Sequence, residues 1–274
     1  MYDDHLIYNT FIYVLCMKHI DVAFYYLRKK IKQYPNLEQR KVTTVDTFFS
    51  TKIAAMWNVY KGAPEKFEWG TCETLLKIML GLSIQCGSSW FDVNTLLIPM
   101  NLGSLQHWIL IKLELTDWTI EVYDSMEHEG PHNQKVREGV ECLSMFIPML
   151  ADQISLFQHK PREPHGIHPI PVTIMKDIPQ QGNGLVQLLQ MFSLFNVACD
   201  AYVNFVIFHS CNRGDCGMFT IKNAECLIEG RDVRYWVIPE RLVMFREWLT
   251  CYLWAHARRK LVGEYKSDDD KDID

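Results

Sequence analysis

The sequence predicts a single α+β domain. Three observations lead there: amphipathic helical segments open the chain, short β-leaning segments fill its middle, and helical patterning resumes after Cys216 without internal repeat or linker. The 274 residues, 48% of them apolar and 12% aromatic, suffice for a sizeable core.

In "HIDVAFYYLRKKIKQYP", Ile20, Phe24, Leu27 and Ile31 stand at helical spacing, basic residues fill the last turns and Pro35 is the stop. "TFFSTKIAAMWNVYKG" gathers Phe49, Ile53, Met56, Trp57 and Tyr60 on one side, with Gly62 past its end, and "TCETLLKIMLG" predicts a third helix. From Trp90 the character changes. "WFDVNTLLIPMN" predicts a strand closed by Pro99, and "HWILIKLELTDWTIEVYDSM" a hairpin. Val136, Val140, Leu143 and Ile147 mark a long helix, "HKPREPHGIHPIP" a loop and "VTIMKDI" a strand, so a central sheet is expected from Leu96 to Asp177. Cys216 opens a further helix, and "ERLVMFREWLTCYLWAHARRK", with Leu242, Phe245, Leu249 and Tyr252 on one face, closes a domain spanning 1–262. The run "KSDDDKDID" makes 263–274 a disordered acidic tail.

A net charge of −5 gives no basic surplus for nucleic acid, and a protein substrate fits the balance better. The nine cysteines are odd in number and form no CxxC pair, and acidic Asp3 and Asp4 stand where a signal peptide is basic. An intracellular protein, nuclear or cytoplasmic, is expected. His159, His165, His168, Cys199 and Cys211 match no common zinc spacing, and there is no glycine-rich phosphate loop. No metal, cofactor or membrane is therefore expected, and the chain should be a monomer.

Within the hairpin His107 has the parity of Ile109, Ile111 and Leu113, and Asp124 that of Ile120 and Val122. A register pairing Ile109 with Val122 sets His107 directly opposite Asp124, and one slipped by two makes the pair diagonal. Imidazole and carboxylate are within reach in both. Such a carboxylate fixes the ring's tautomer and stabilises imidazolium; the bland alternative is a structural hydrogen bond at the hairpin's open end. Cys216 begins a helix, where free N–H groups and the dipole favour a thiolate, although a free cysteine is more often a small buried residue.

"HWILIKLELTDWTIEVYDSM", "IPQQGN" and "GDCGMF" resemble the SUMO (sentrin)-specific cysteine proteases, the Ulp family of papain-like peptidases, in order from His19 to Glu229. The resemblance implies a papain-like fold with an N-terminal helical part, a central mostly antiparallel sheet and the catalytic cysteine at a helix N-terminus. It implies Cys216 as nucleophile, His107 as general base and acid, Asp124 as its orienter and Gln181 as oxyanion donor. Trp108 matches the tryptophan over the substrate's Gly-Gly tail, and Trp90, Asn183 and Asp215 complete the expected substrate-binding set. The implied activity is cleavage after the Gly-Gly terminus of SUMO or another ubiquitin-like partner. "HIDV" puts His19 where the family has tryptophan and resembles the divergent, transposon-associated plant members.

One departure is large. Gln181 precedes Cys216 by 216 − 181 = 35 residues, because 29 residues, 185–213, interrupt the motif. They hold one Asp, one Arg and no Lys, Glu, Pro or Gly, the composition of a U-rich intron read through in frame. A lid helix is the alternative; a membrane span is disfavoured by Gln187, Gln190, Asn196, Asp200 and Asn204. A catalytically impaired relative that only binds a ubiquitin-like partner, or a mis-spliced product, is the competing reading.

Deleting Leu185 to Arg213 places Gln181 35 − 29 = 6 residues before Cys216 and joins the two halves of the motif. An oxyanion donor is worth about 10²–10³ in rate, so the deletion variant should be more soluble and cleave a Gly-Gly extension much faster than the full chain. Higher activity in the full chain, with Cys216→Ala controls for both, would make the segment a working lid.

Overall fold

The computed structural model describes residues 17–126, 130–164, 166–181 and 215–262. Asn183, the 185–213 segment, His165, Cys199, Cys211 and the 263–274 tail lie outside them. Helix α1 (Met17–Gln33) buries the four residues whose spacing predicts it. A single turn, α2 (Pro35–Glu38), leads into β1 (Val42–Thr44), a strand absent from the sequence reading because three residues are too few to show alternation. Helix α3 (Thr47–Gly62) starts where Asp46 accepts from the Phe49 N–H at 3.1 Å. Asp21 of α1 accepts from the N–H and hydroxyl of Thr47 at 2.7 and 3.0 Å, clamping the two helices together.

After α4 (Glu73–Met79) come β2 (Thr95–Leu102), β3 (His107–Glu114) and β4 (Thr119–Tyr123). Then follow α5 (Pro131–Gln153), β5 (Val172–Ile174), α6 (Cys216–Glu229), α7 (Val233–Trp236) and α8 (Leu242–Leu261). The sheet runs β1-β2-β3-β4-β5; the long central strands are antiparallel, and the short edge strands β1 and β5 pair in parallel. This is the expected α+β architecture, with a sheet that also draws in β1.

Strand β3 is covered on both faces. Ile109, Ile111 and Leu113 join an apolar cluster with Phe49, Ile53, Leu75, Met79, Val140 and Phe146 from α3, α4 and α5. Trp108 and Leu110 join a second with Phe24 and Ile31 of α1 and Cys216, Phe219 and Ile221 of α6. The alternation of a strand thus separates two cores and makes three layers. Helix α6 closes on Gly230, whose φ of +70° suits a residue without a Cβ, while the Arg231 N–H bonds back to the Cys226 carbonyl at 2.8 Å.

One expectation is corrected, and the choice between the two hairpin registers is decided. Strand β2 does not stop at Pro99 but runs on to Leu102, with Pro99 opposite Leu110. Strand β1 ends its pairing at Leu97, so the side of β2 where Pro99 lacks an N–H has no strand to serve, and the Pro99 carbonyl accepts from Ser50 Oγ of α3 at 2.8 Å instead. The hairpin takes the register slipped by two, Ile111 opposite Val122 and Leu113 opposite Ile120. Its turn spans 115–118 because Leu115 and Trp118 are core residues, 0% and 1% exposed, and the Trp118 indole donates to the Lys160 carbonyl at 3.1 Å. Among the described residues no helix is long and apolar enough to cross a membrane.

Trp90 is 0% exposed, its ring 5.5 Å from that of Phe49, in the cluster opposite the one that holds Cys216. It is a core residue, and the expected substrate contact does not hold for it. Truncating Trp90 to Ala should cost about 3–5 kcal/mol, read as a lower urea midpoint. A midpoint unchanged within error would mean that the cluster closes without it.

Candidate active site

Three elements meet where the hairpin opens. His107 begins β3, Asp124 follows the last residue of β4, and Cys216 is the first residue of α6; they are 2%, 0% and 4% exposed. His107 Nε2 lies 2.6 Å from Asp124 Oδ1. The Cys216 thiol stands near enough to the same imidazole to act on its charge. A carboxylate can only accept, so His107 carries its proton on Nε2 and Nδ1 remains for the thiol. The diagonal register brings the pair together because imidazole and carboxylate span the offset between neighbouring strands.

Electrostatics favours the charged ring. Burial alone would lower the affinity of His107 for a second proton, but the hydrogen bonds and charges of Asp124 and Cys216 outweigh it and push the pKa up to about 9. For Asp124 burial again opposes the charge. Its bonds to His107, the Met126 N–H and His132 win and hold the carboxyl below its usual range. The buried thiols of Cys142 and Cys226 are pushed up to about 12 and about 11, which makes them poor nucleophiles.

Gln181 is strapped beside this pair, its N–H donating to the Ser125 carbonyl at 2.7 Å. Its neighbour Gln180 spends its side chain on the backbone, donating to the carbonyls of Asp124 at 3.3 Å and Ile178 at 3.0 Å. The two glutamines of "PQQ" are thus divided: Gln180 braces the turn after β4. Trp108, 6% exposed, packs in the cluster that contains Cys216. Asp215 sits at the N-cap of α6 yet makes no side-chain cap; its carboxylate pairs with Arg246 of α8.

Gln180, His132 and Arg246 are absent from the sequence reading. Their signal is weak, since each acts through a neighbour brought near only by folding. His107, Asp124 and His132 are the trio among the described residues whose ligand atoms lie close enough for a metal, all within 4.8 Å. The Nε2 atoms of both histidines are already paired with the carboxylate oxygens. The arrangement can hold a thiolate beside an imidazolium, deliver the ring proton to a leaving group and do acyl transfer.

The family model described as "Ulp1 protease family, C-terminal catalytic domain" matches residues 13–185, more than half of the chain. The match ends where the interruption begins, before Cys216. Among curated proteins nothing matches by sequence. The fold is similar to SUMO protease Ulp1 with its catalytic cysteine oxidised to a sulfonic acid, at TM-score 0.51 and 13% identity, covering 89% of this chain and 79% of that one. The sulfenic acid form gives TM-score 0.50 and 14% identity over 89% and 78%. The Ulp1-like SUMO protease catalytic domain of Chaetomium thermophilum gives TM-score 0.47 and 22% identity over 86% and 70%.

The raised His107 and lowered Asp124 bound a window of pH. The stability drawn from the charged ring is complete below the ordinary histidine range and fades as pH rises through about 9. That drawn from the carboxylate is complete above the ordinary Asp range and fades as pH falls below it through the lowered value. Urea unfolding of the parent and Asp124→Asn should differ most between the two limits and converge outside them. A difference constant from acid to alkali would show that the pair is not ionised in the fold.

Proposed function

From the premise that the chain belongs to the Ulp1 protease family and is a cysteine protease of α+β fold, we propose that it cleaves peptide or isopeptide bonds after the Gly-Gly terminus of SUMO or a related ubiquitin-like protein. The observation that carries the reading is one buried imidazole bonded to Asp124, with the buried thiol that opens α6 near enough to act on its charge. Cys216 attacks the terminal glycine carbonyl as a thiolate, and His107 protonates the departing amine. Water then releases the acyl group with the same ring as base. Asp124 keeps the ring in its Nε2–H tautomer. Gln181, tethered next to Asp124, supplies an amide N–H for the oxyanion. Trp108 forms one side of a slot that only side-chain-free glycines enter. The free thiols suit a reducing compartment, nuclear or cytoplasmic.

Incubation with a SUMO precursor and with SUMO conjugated to a lysine should release mature SUMO, and Cys216→Ala should abolish it. Asp124→Asn should keep the fold and lose about 10⁴ in turnover, because an amide holds the wrong tautomer and cannot balance imidazolium. Substoichiometric iodoacetamide should label Cys216 before Cys251, the exposed cysteine of α8. Labelling of Cys251 alone in folded protein, or wild-type rates from Asp124→Asn, removes the residue concerned from the site.

A further inference from the structure

The carboxylate of Asp124 has two oxygens, and the triad uses one. Oδ1 takes His107 at 2.6 Å and the Met126 N–H at 2.9 Å, while Oδ2 lies 2.7 Å from Nε2 of His132. Asp124 is 0% exposed and acceptor-only, so His132 must present an N–H to it, and without that donor Oδ2 would be a buried charge-bearing oxygen left without a partner. His132 stands at the second position of α5, after Pro131, and is fixed there by the helix that buries Val136, Val140, Leu143 and Phe146 against the sheet. Its ring lies edge-on to that of His107, centroids 5.8 Å apart, and closes one flank of the pair.

We propose that His132 is a positioning residue of this protease: its N–H pins the free oxygen of Asp124, so that the other oxygen stays on the Nε2–H of His107 and the imidazolium that pairs with Cys216 is held in line. The inference rests on the assignment of Cys216, His107 and Asp124 under the proposed function. It adds a fourth member that acts only through Asp124. The geometry is reciprocal: His107 comes from β3 and His132 from α5, so the carboxylate is gripped between the sheet and the helix that covers it.

The test reads thiol chemistry first, so that it does not depend on the substrate being right. In the full chain, the rate of Cys216 alkylation by iodoacetamide at neutral pH, followed by mass-mapped labelling, should fall about tenfold in His132→Ala and return to within about threefold of the parent in His132→Gln, which keeps an N–H donor. With a cleavable ubiquitin-like extension, kcat should fall by a similar factor with KM unchanged. In the Asp124→Asn background, His132→Ala should cost less than about twofold more, because the route to the ring is already lost. Parental alkylation by His132→Ala, or a tenfold further loss in the Asp124→Asn background, would overturn the proposal. Should His132→Ala fail to fold, His132→Gln still decides: alkylation near the parent rate supports the role of the N–H, and alkylation tenfold slower in a folded protein sinks it. Normal alkylation patterns without cleavage of any ubiquitin-like extension would instead indict the substrate assignment and leave the positioning role standing.

Discussion

The carboxylate of Asp124 is the constraint around which the centre of the molecule is arranged. It carries charge at 0% exposure, and a charge removed from water is tolerated only when its oxygens are bonded. His107 from β3, His132 from α5 and the Met126 N–H bond its oxygens, and Gln180 braces its backbone carbonyl. Each partner comes from a different segment, so the strand end, the helix start and the turn carrying "PQQ" are fixed relative to one another by a single group. The same bonds that make the burial bearable hold the imidazole charged and oriented toward Cys216.

The nucleophile is delivered from the other side by packing. Cys216, Phe219 and Ile221 of α6 lie with Trp108 and Leu110 of β3 and with α1 in one apolar cluster, and burial of such side chains contributes about 1.5–3 kcal/mol each. Lys30 of α1 reaches Glu225 at 3.1 Å and Glu229 at 2.6 Å, but these groups are partly exposed and such pairs are worth about 0–1 kcal/mol. Apolar burial therefore sets where α6 lies, and the ion pairs refine it. Arg246 of α8 offsets the charge of Asp215 directly beside the thiol, so the C-terminal helix bears on the site without lining it.

Much of the fold was legible because periodicity is local. The helices around Phe24, Ile53 and Val140 and the hairpin strands were set by spacing alone, and the pairing of His107 with Asp124 did not depend on which of the two registers formed, because both residues keep their face when the strand slips by two. The sequence by itself determined which residue types meet at the open end of the hairpin and that a cysteine waits at a helix start. Tertiary structure decided what periodicity cannot encode. Strand β1 exists because β2 offers it a ladder, Pro99 stays within β2 because β1 has already ended, Trp90 disappears into the core, and His132 reaches the second oxygen of Asp124 because α5 folds back over the sheet. These outcomes depend on which groups are left without water or a hydrogen-bond partner once the layers close, a condition that arises only when the whole chain is packed.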